Sequence, residues 1–180
     1  MSEDRTPRGH LDLPPLPDHL RPGLVVVFIG YNPGETSARV GHYYAYPGNR
    51  FWWLLWQSGL TERRLSPDED ASLLDRGYGL TDLVDRPSKG SSSLAAWEKD
   101  VGRALLLDKL ERNRPRIACY NGKGVYAAAA GVARTAYGFK ATSLVAGVRD
   151  FVAASPSGRS REPLAVKLSL YRDLAAALGG

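Results

Sequence analysis

The chain has 180 residues, 43% hydrophobic and 24% charged, with a net charge of +5 and a pI near 9.4. That length suits one domain with a substantial core, and no apolar run approaches the ~20 residues of a membrane span or resembles a secretory leader. The single cysteine, Cys119, excludes an intramolecular disulfide and any multi-cysteine zinc or iron–sulfur centre. The expected location is therefore intracellular, and the basic balance fits a polyanionic partner without establishing one.

Residues 1–22 carry Pro7, Pro14, Pro15, Pro17 and Pro22 among charges, and read as a mobile or loosely docked arm in which Arg5, Arg8 and Arg21 could brush a polyanion. Residues 23–180 form the domain proper. Leu24 to Ile29 is a continuous apolar run of the kind found in a buried parallel strand. It leaves through Asn32-Pro33-Gly34, a turn rich in special backbone geometry. A helix is predicted from about Asn49, as its cap, to Ser58, with Phe51, Leu54 and Leu55 on one face and Gly59 as the stop. A second strand is predicted near Gly79 to Val84. A long helix follows over Leu94 to Leu110, with Leu94, Trp97, Val101, Leu105 and Leu110 as its apolar stripe. Arg116 to Tyr120 reads as a third strand with Cys119 buried in it, Gly124 to Ala130 as a helix, Phe151 to Ala154 as a strand, and Leu164 to Leu178 as the closing helix. Strands alternating with helices predict an α/β fold: a single-domain, three-layer α/β/α arrangement around a mostly parallel central sheet.

The chemistry-bearing pattern lies between Gly30 and Gly59. A polar amide, Asn32, follows a buried strand where ligands bind in open α/β sheets. Tyr43, Tyr44, Tyr46 and Phe51 come next, so a polar turn and an aromatic wall together suit a flat ring. The residues Gly30, Asn32, Pro33, Gly34, then Pro47, Asn49, Arg50, Phe51 and Trp52, spell G-x-N-P-G and P-x-N-R-F-W. With LVDRPS (83–88), YNGK (120–123) and SPSGRS (155–160), this sequence resembles the mismatch-specific uracil/thymine DNA glycosylases over most of the chain after residue 23.

The resemblance implies that Asn32 orients the attacking water. An amide oxygen can accept from water but cannot take its proton as a carboxylate would, and without the resemblance Asn32 would read as a turn residue before Pro33. Asp82 stands where family members commonly carry Lys or Asn, and a carboxylate there could assist Asn32 or simply face solvent. Asp85 reads as a structural partner of Arg86. By the resemblance, the base pocket takes Gly30, Tyr31, Ser37 and Tyr44: Tyr44 stacks on the extruded base, Ser37 hydrogen-bonds it, and Tyr31 replaces a smaller aliphatic residue. Ser157, Gly158, Arg159, Ser160 and Arg161 match the loop that enters the duplex, with Arg159 where relatives place a small or apolar residue. Asn121 and Lys123, before a helix, suit phosphate contact.

Histidine is scarce: His10 and His19 lie in the arm, His42 reads as a rim residue, and Ser155-Pro156-Ser157 lacks the histidine of faster uracil-specific relatives. No G-x-S-x-G elbow accompanies His42, which disfavours a Ser–His–Asp hydrolase. The expected activity is monofunctional excision of uracil, particularly from G:U mismatches, with thymine or other damaged pyrimidines as further substrates. No metal or organic cofactor is implied, and the partner is double-stranded DNA met by a monomer. A non-catalytic mismatch reader and a base-binding α/β enzyme unrelated to DNA remain as alternatives.

Overall fold

The computed structural model describes residues 12–179. Five strands, β1 (Val26–Gly30), β2 (Tyr78–Asp82), β3 (Ile117–Asn121), β4 (Gly138–Phe139) and β5 (Arg149–Ala153), form one sheet in the order β2-β1-β3-β5-β4. All neighbours are parallel except β4, which runs antiparallel to β5 at the edge. All five residues of β1 are buried, and their period of two feeds both faces of the sheet. Val26 and Phe28 face a cluster with Phe51, Leu54, Leu55, Tyr171 and Leu174, which come from α2 (Phe51–Gln57) and α5 (Leu164–Leu178). Val27 and Ile29 face Leu106, Leu110, Val125 and Ala129, which come from α3 (Ala96–Asn113) and α4 (Lys123–Ala130). This is the expected three-layer α/β architecture. The chain leaves β1 toward β2 on one side and returns to β3 on the other, so a crevice opens above the strand ends where the order reverses.

Element limits follow local chemistry. Asn49 Oδ1 accepts from Phe51 N at 2.9 Å as α2 begins, and Gly59, at φ +84°, closes it after Ser58. Four elements lie outside the predicted set: the short helix α1 (Glu35–Val40), the 3-10 stretches Pro67–Arg76 and Ser91–Ser93, and β4. Of these, Pro67–Arg76 does carry a local signal, the capping box of Ser66 with Glu69 and the closing Gly77.

The apolar stripe predicted for the long helix is displaced. Trp97, Val101 and Leu105 are 67%, 51% and 48% exposed, whereas Gly102, Leu106 and Leu110 face the sheet. Both sets satisfy helical spacing, and backbone contact decides between them. A Cβ on Gly102 would lie 2.2 Å from Leu83 O, so this glycine lets α3 press against the chain just beyond β2.

The arm is docked within the described residues. His19 pairs with Leu80 through N–H···O bonds of 3.0 Å in both directions, and Leu16 is buried. Asp18 accepts from Thr81 Oγ1 at 2.6 Å and meets Lys109 Nζ at 2.9 Å. Arg21 donates to Leu74 O at 2.9 Å, so its guanidinium serves the protein itself. Arg5, Arg8 and His10 lie outside the described residues.

Replacing a helix-interior glycine by alanine ordinarily stabilises by ~1 kcal/mol. Gly102→Ala is expected to lower the urea midpoint instead, because overpacking against the Leu83 carbonyl costs ~1–3 kcal/mol. A raised midpoint would show that α3 can withdraw from the sheet freely.

Candidate active site

A cavity of about 590 Å³ opens above the sheet's carboxyl ends. Gly30, Tyr31 and Asn32 line it from the end of β1, Asp82 from β2, Asn121 and Gly122 from β3, and Ser155, Pro156 and Ser157 from the segment after β5. Ser37, Tyr43, Tyr44 and Tyr46 complete the wall from the segment between β1 and α2, and Leu16 joins them from the arm.

Asn32 is held by its nitrogen. Nδ2 donates to Ser88 Oγ at 2.7 Å and Arg86 O at 2.9 Å, with Pro33 O farther away at 3.4 Å. Those bonds orient the amide, and its Oδ1 accepts no hydrogen bond among the described residues. The loop holding it is clamped in turn: Ser88 N donates to Pro33 O at 3.0 Å, and Ser88 Oγ donates to Gly90 O at 2.8 Å. Ser88 is a site residue that the sequence did not single out, although its motif was visible. Asp85 and Arg86 are not partners of each other. Arg86 grips Glu98, with Nε–Oε1 at 2.5 Å and Nη2–Oε2 at 3.0 Å, while Asp85 lies 3.4 Å from Lys109 Nζ. The aspartate and arginine are adjacent in sequence, but α3 supplies a better-placed partner for each.

Asp82 ends β2 as the register partner of Gly30. The residue is 6% exposed, and its carboxyl accepts no hydrogen bond among the described residues. A Cβ on residue 30 would lie 2.3 Å from Asp82 Oδ1 and 3.3 Å from the Tyr44 hydroxyl, so glycine makes room for both. Burial raises the Asp82 pKa to about 8, the negative Asp18 and Asp85 push the same way, and Lys109 opposes them.

The aromatic wall is preformed. Tyr44 stacks on Phe51 with centroids 4.0 Å apart and planes 26° apart, at a backbone φ of +53° that is uncommon outside glycine. Ser37 Oγ accepts from Ala45 N at 3.0 Å and so fixes the loop carrying Tyr44, while Tyr31 is half-buried across the cavity. His42 is tied to a buried carboxylate: its Nδ1 lies 3.2 Å from Asp70 Oδ1, and Tyr43 N donates to Asp70 Oδ2 at 2.9 Å. His19 Nε2 approaches the same Asp70 oxygen at 3.3 Å from an unfavourable direction for a hydrogen bond. Burial alone would raise Asp70, but the imidazoles and the Tyr43 N–H hold its carboxyl below the usual range.

Asn121, expected at a phosphate, lies instead in the cavity floor at 4% exposure. Its Nδ2 donates to Tyr44 Oη at 2.9 Å and its Oδ1 accepts from Tyr171 Oη at 2.8 Å. Being the last residue of β3 places it inside, and no local signal distinguishes that from a helix-entry position. Lys123 is outside the cavity lining, with Nζ 4.1 Å from the Tyr137 ring centroid.

Ser157, Arg159 and Ser160 border the cavity, while Gly158 and Arg161 are exposed beyond its lining. Arg159 Nη1 donates to Lys89 O at 3.0 Å, joining this loop to the one that clamps Asn32. Buried Lys167 donates to Ser157 O at 2.8 Å, and Arg50 N donates to Pro156 O at 2.8 Å. The loop is therefore anchored at its base and exposed at its tip.

Residues 17–178 match the uracil DNA glycosylase superfamily. The chain belongs to that superfamily. Its fold is also similar to the solution NMR structure of a provisionally assigned uracil DNA glycosylase from Methanosarcina acetivorans, at 18% identity and a TM-score of 0.61, covering 93% of this chain and 98% of that one. Superfamily membership places the activity among DNA glycosylases, hydrolases of N-glycosyl bonds.

Ser88→Ala removes one of the two short acceptors orienting Asn32 and leaves Arg86 O in place. One such bond is worth ~1 kcal/mol, so base excision in single turnover should fall roughly fivefold to tenfold with a small change in melting temperature. Wild-type excision by this variant would show that the Arg86 carbonyl alone sets the amide.

Proposed function

We propose that this protein is a monofunctional glycosylase that removes uracil from double-stranded DNA, preferring uracil opposite guanine, with thymine or other damaged pyrimidines as slower substrates. It acts as a monomer, inside the cell, and leaves an abasic site that opens base excision repair. The observation carrying this reading is the pairing of two groups at one cavity: the uncommitted oxygen of Asn32 and the uncommitted carboxyl of Asp82.

The extruded base enters beside Tyr44, whose ring replaces part of the stacking lost from the duplex. The Asn121 amide presents N–H donors and a carbonyl acceptor, the complement of a uracil O4 and N3–H. Each end already meets one tyrosine hydroxyl, Tyr44 at Nδ2 and Tyr171 at Oδ1, so the base is read through the second N–H and the second lone pair. Arg159 leaves the Lys89 carbonyl to fill the gap in the helix, and Arg161 meets the phosphate backbone.

Hydrolysis then needs a water on the sugar face. Asn32 Oδ1 accepts a hydrogen bond from the water and aims the water's oxygen at the anomeric carbon. As the C–O bond forms, the electron pair of the C–N bond leaves with the base, and ionised Asp82 takes the water's proton. Its negative charge also stabilises the oxocarbenium-like sugar. Ser155-Pro156-Ser157 offers no imidazole to the departing anion, which favours bases that are already good leaving groups.

Single-turnover excision from G:U, A:U and G:T duplexes and from a uracil-containing single strand tests the reading. Asn32→Ala should lose about 10²–10³ in rate, as for other preorganised polar groups at a reacting centre. Duplex binding without alkali-labile product in the wild type would replace this reading with a non-catalytic mismatch reader.

The pH dependence follows from the sign of the Asp82 shift. The carboxyl is raised to about 8, so it is neutral below that pH and a competent base above it. In the wild type kcat/KM should rise with pH and level off above about 8. Asp82→Asn should lower the plateau and remove that limb. A limb unchanged in the variant would assign it to another group.

A further inference from the structure

Beside the candidate active site lies a second groove of about 520 Å³. The loop carrying Tyr44, Tyr46 and Asn49 is the ridge between the two, since all three residues line both. Tyr46 is 55% exposed on that ridge. Its ring packs on the backbone of Gly48, where a Cβ would come within 2.8 Å of the ring. Gly48 in turn touches the loop assigned to enter the duplex, because a Cβ on Gly158 would lie 2.7 Å from Gly48 O. An exposed aromatic ring thus stands next to that loop and opens onto the groove.

The groove's charge is settled by ion pairing. Arg63 and Glu69 both line it and neutralise each other through a two-pronged contact, with Arg63 Nη1–Glu69 Oε2 at 3.0 Å and a shorter Nη2–Oε1 contact. Glu69 also accepts from Ser66 N at 2.9 Å and Ser66 Oγ at 3.1 Å, which holds it in place. Arg64 remains: it is an exposed residue of the groove lining, and its guanidinium has no hydrogen-bond or ion-pair partner among the described residues. An uncompensated arginine in the same groove as an exposed aromatic ring suits a nucleotide, one holding the phosphate and the other the base.

We propose that this groove is a second DNA subsite, which holds the damaged strand next to the extruded nucleotide, with Tyr46 stacked on the neighbouring base and Arg64 on its phosphate. The assignment rests on the glycosylase reading of the main cavity and adds to it a strand path. The strand crosses the Tyr44–Asn49 ridge, one nucleotide drops into the cavity, and its neighbour lies in the groove. A strand held this way needs no complementary partner on that side, so uracil in single-stranded DNA becomes a substrate when its flank is long enough to reach Arg64.

The test compares equilibrium binding and single-turnover excision on uracil-containing single strands with long flanks and on strands cut back, on one side or the other, so that the uracil nucleotide is the last on that side. Wild type should bind one trimmed series about tenfold more weakly than the full strand. Arg64→Ala and Tyr46→Ala should each weaken binding of the full strand by about tenfold and leave the weak trimmed series unchanged. Arg64→Ala should also reduce the salt slope by about one. Tyr46→Phe should behave as wild type, and Arg112→Ala, remote and paired with Asp108, serves as the surface control. Equal losses on full and trimmed strands, or no loss on either, overturn the groove assignment. Absence of excision from every wild-type substrate sinks the glycosylase reading instead, and the flank dependence of binding is decided independently of it.

Discussion

Everything at the cavity depends on the parallel register of β1 between β2 and β3. That register sets Gly30 opposite Asp82 and brings Asn121 to the same end of the sheet. Parallel hydrogen bonding fixes these levels to within a residue, and a slip of one position would turn Asp82 and Gly30 to opposite faces. The missing side chain at Gly30 is what tolerates the arrangement, since any Cβ would collide with the Asp82 carboxyl.

A buried carboxyl with no hydrogen-bond partner is an unfavourable thing to build into a sheet end. Here the surrounding charges do little to relieve it. Asp18 and Asp85 disfavour its ionisation, and Lys109, which bridges them, only partly opposes that effect. Nearby polar groups are, by contrast, held: Asn32 Nδ2 by Ser88 and Arg86, Asn121 by two tyrosines, and Asp70 by Tyr43 and His42. Two unpartnered acceptors at one cavity, the Asp82 carboxyl and Asn32 Oδ1, mark where the fold gives up stability for chemistry. The strained backbone of Tyr44 lies in the same place, stacked on Phe51 and hydrogen-bonded to Asn121.

The loops over the cavity form one connected unit. The 86–90 segment orients Asn32 and receives Arg159, and Lys167 and the Arg50 backbone fasten the base of the 155–161 loop. The docked part of the arm reaches the same region, with Leu16 in the cavity wall and Asp18 among the charges around Lys109. Water orientation, base stacking and duplex entry are thus coupled through short polar contacts rather than carried by independent parts.

Sequence alone determined what depends on neighbours along the chain. The buried run of β1, the turn through Asn32-Pro33-Gly34, the start and stop of α2 and the whole of α5 follow from hydrophobic period and cap chemistry, which act within a few residues. The ordered motifs carried the superfamily for the same reason. Tertiary structure decided what depends on residues far apart in sequence. It turned Gly102 rather than Trp97 toward the sheet, because a helix approaches closest where no side chain intervenes. It gave Arg86 to Glu98 and Asp85 to Lys109, sent Asn121 to the cavity floor, and docked the arm along β2. Above all it decided the state of Asp82, since the protonation of a carboxyl reflects how much water and charge surround it, and both are set only when strands and helices distant in sequence close around it.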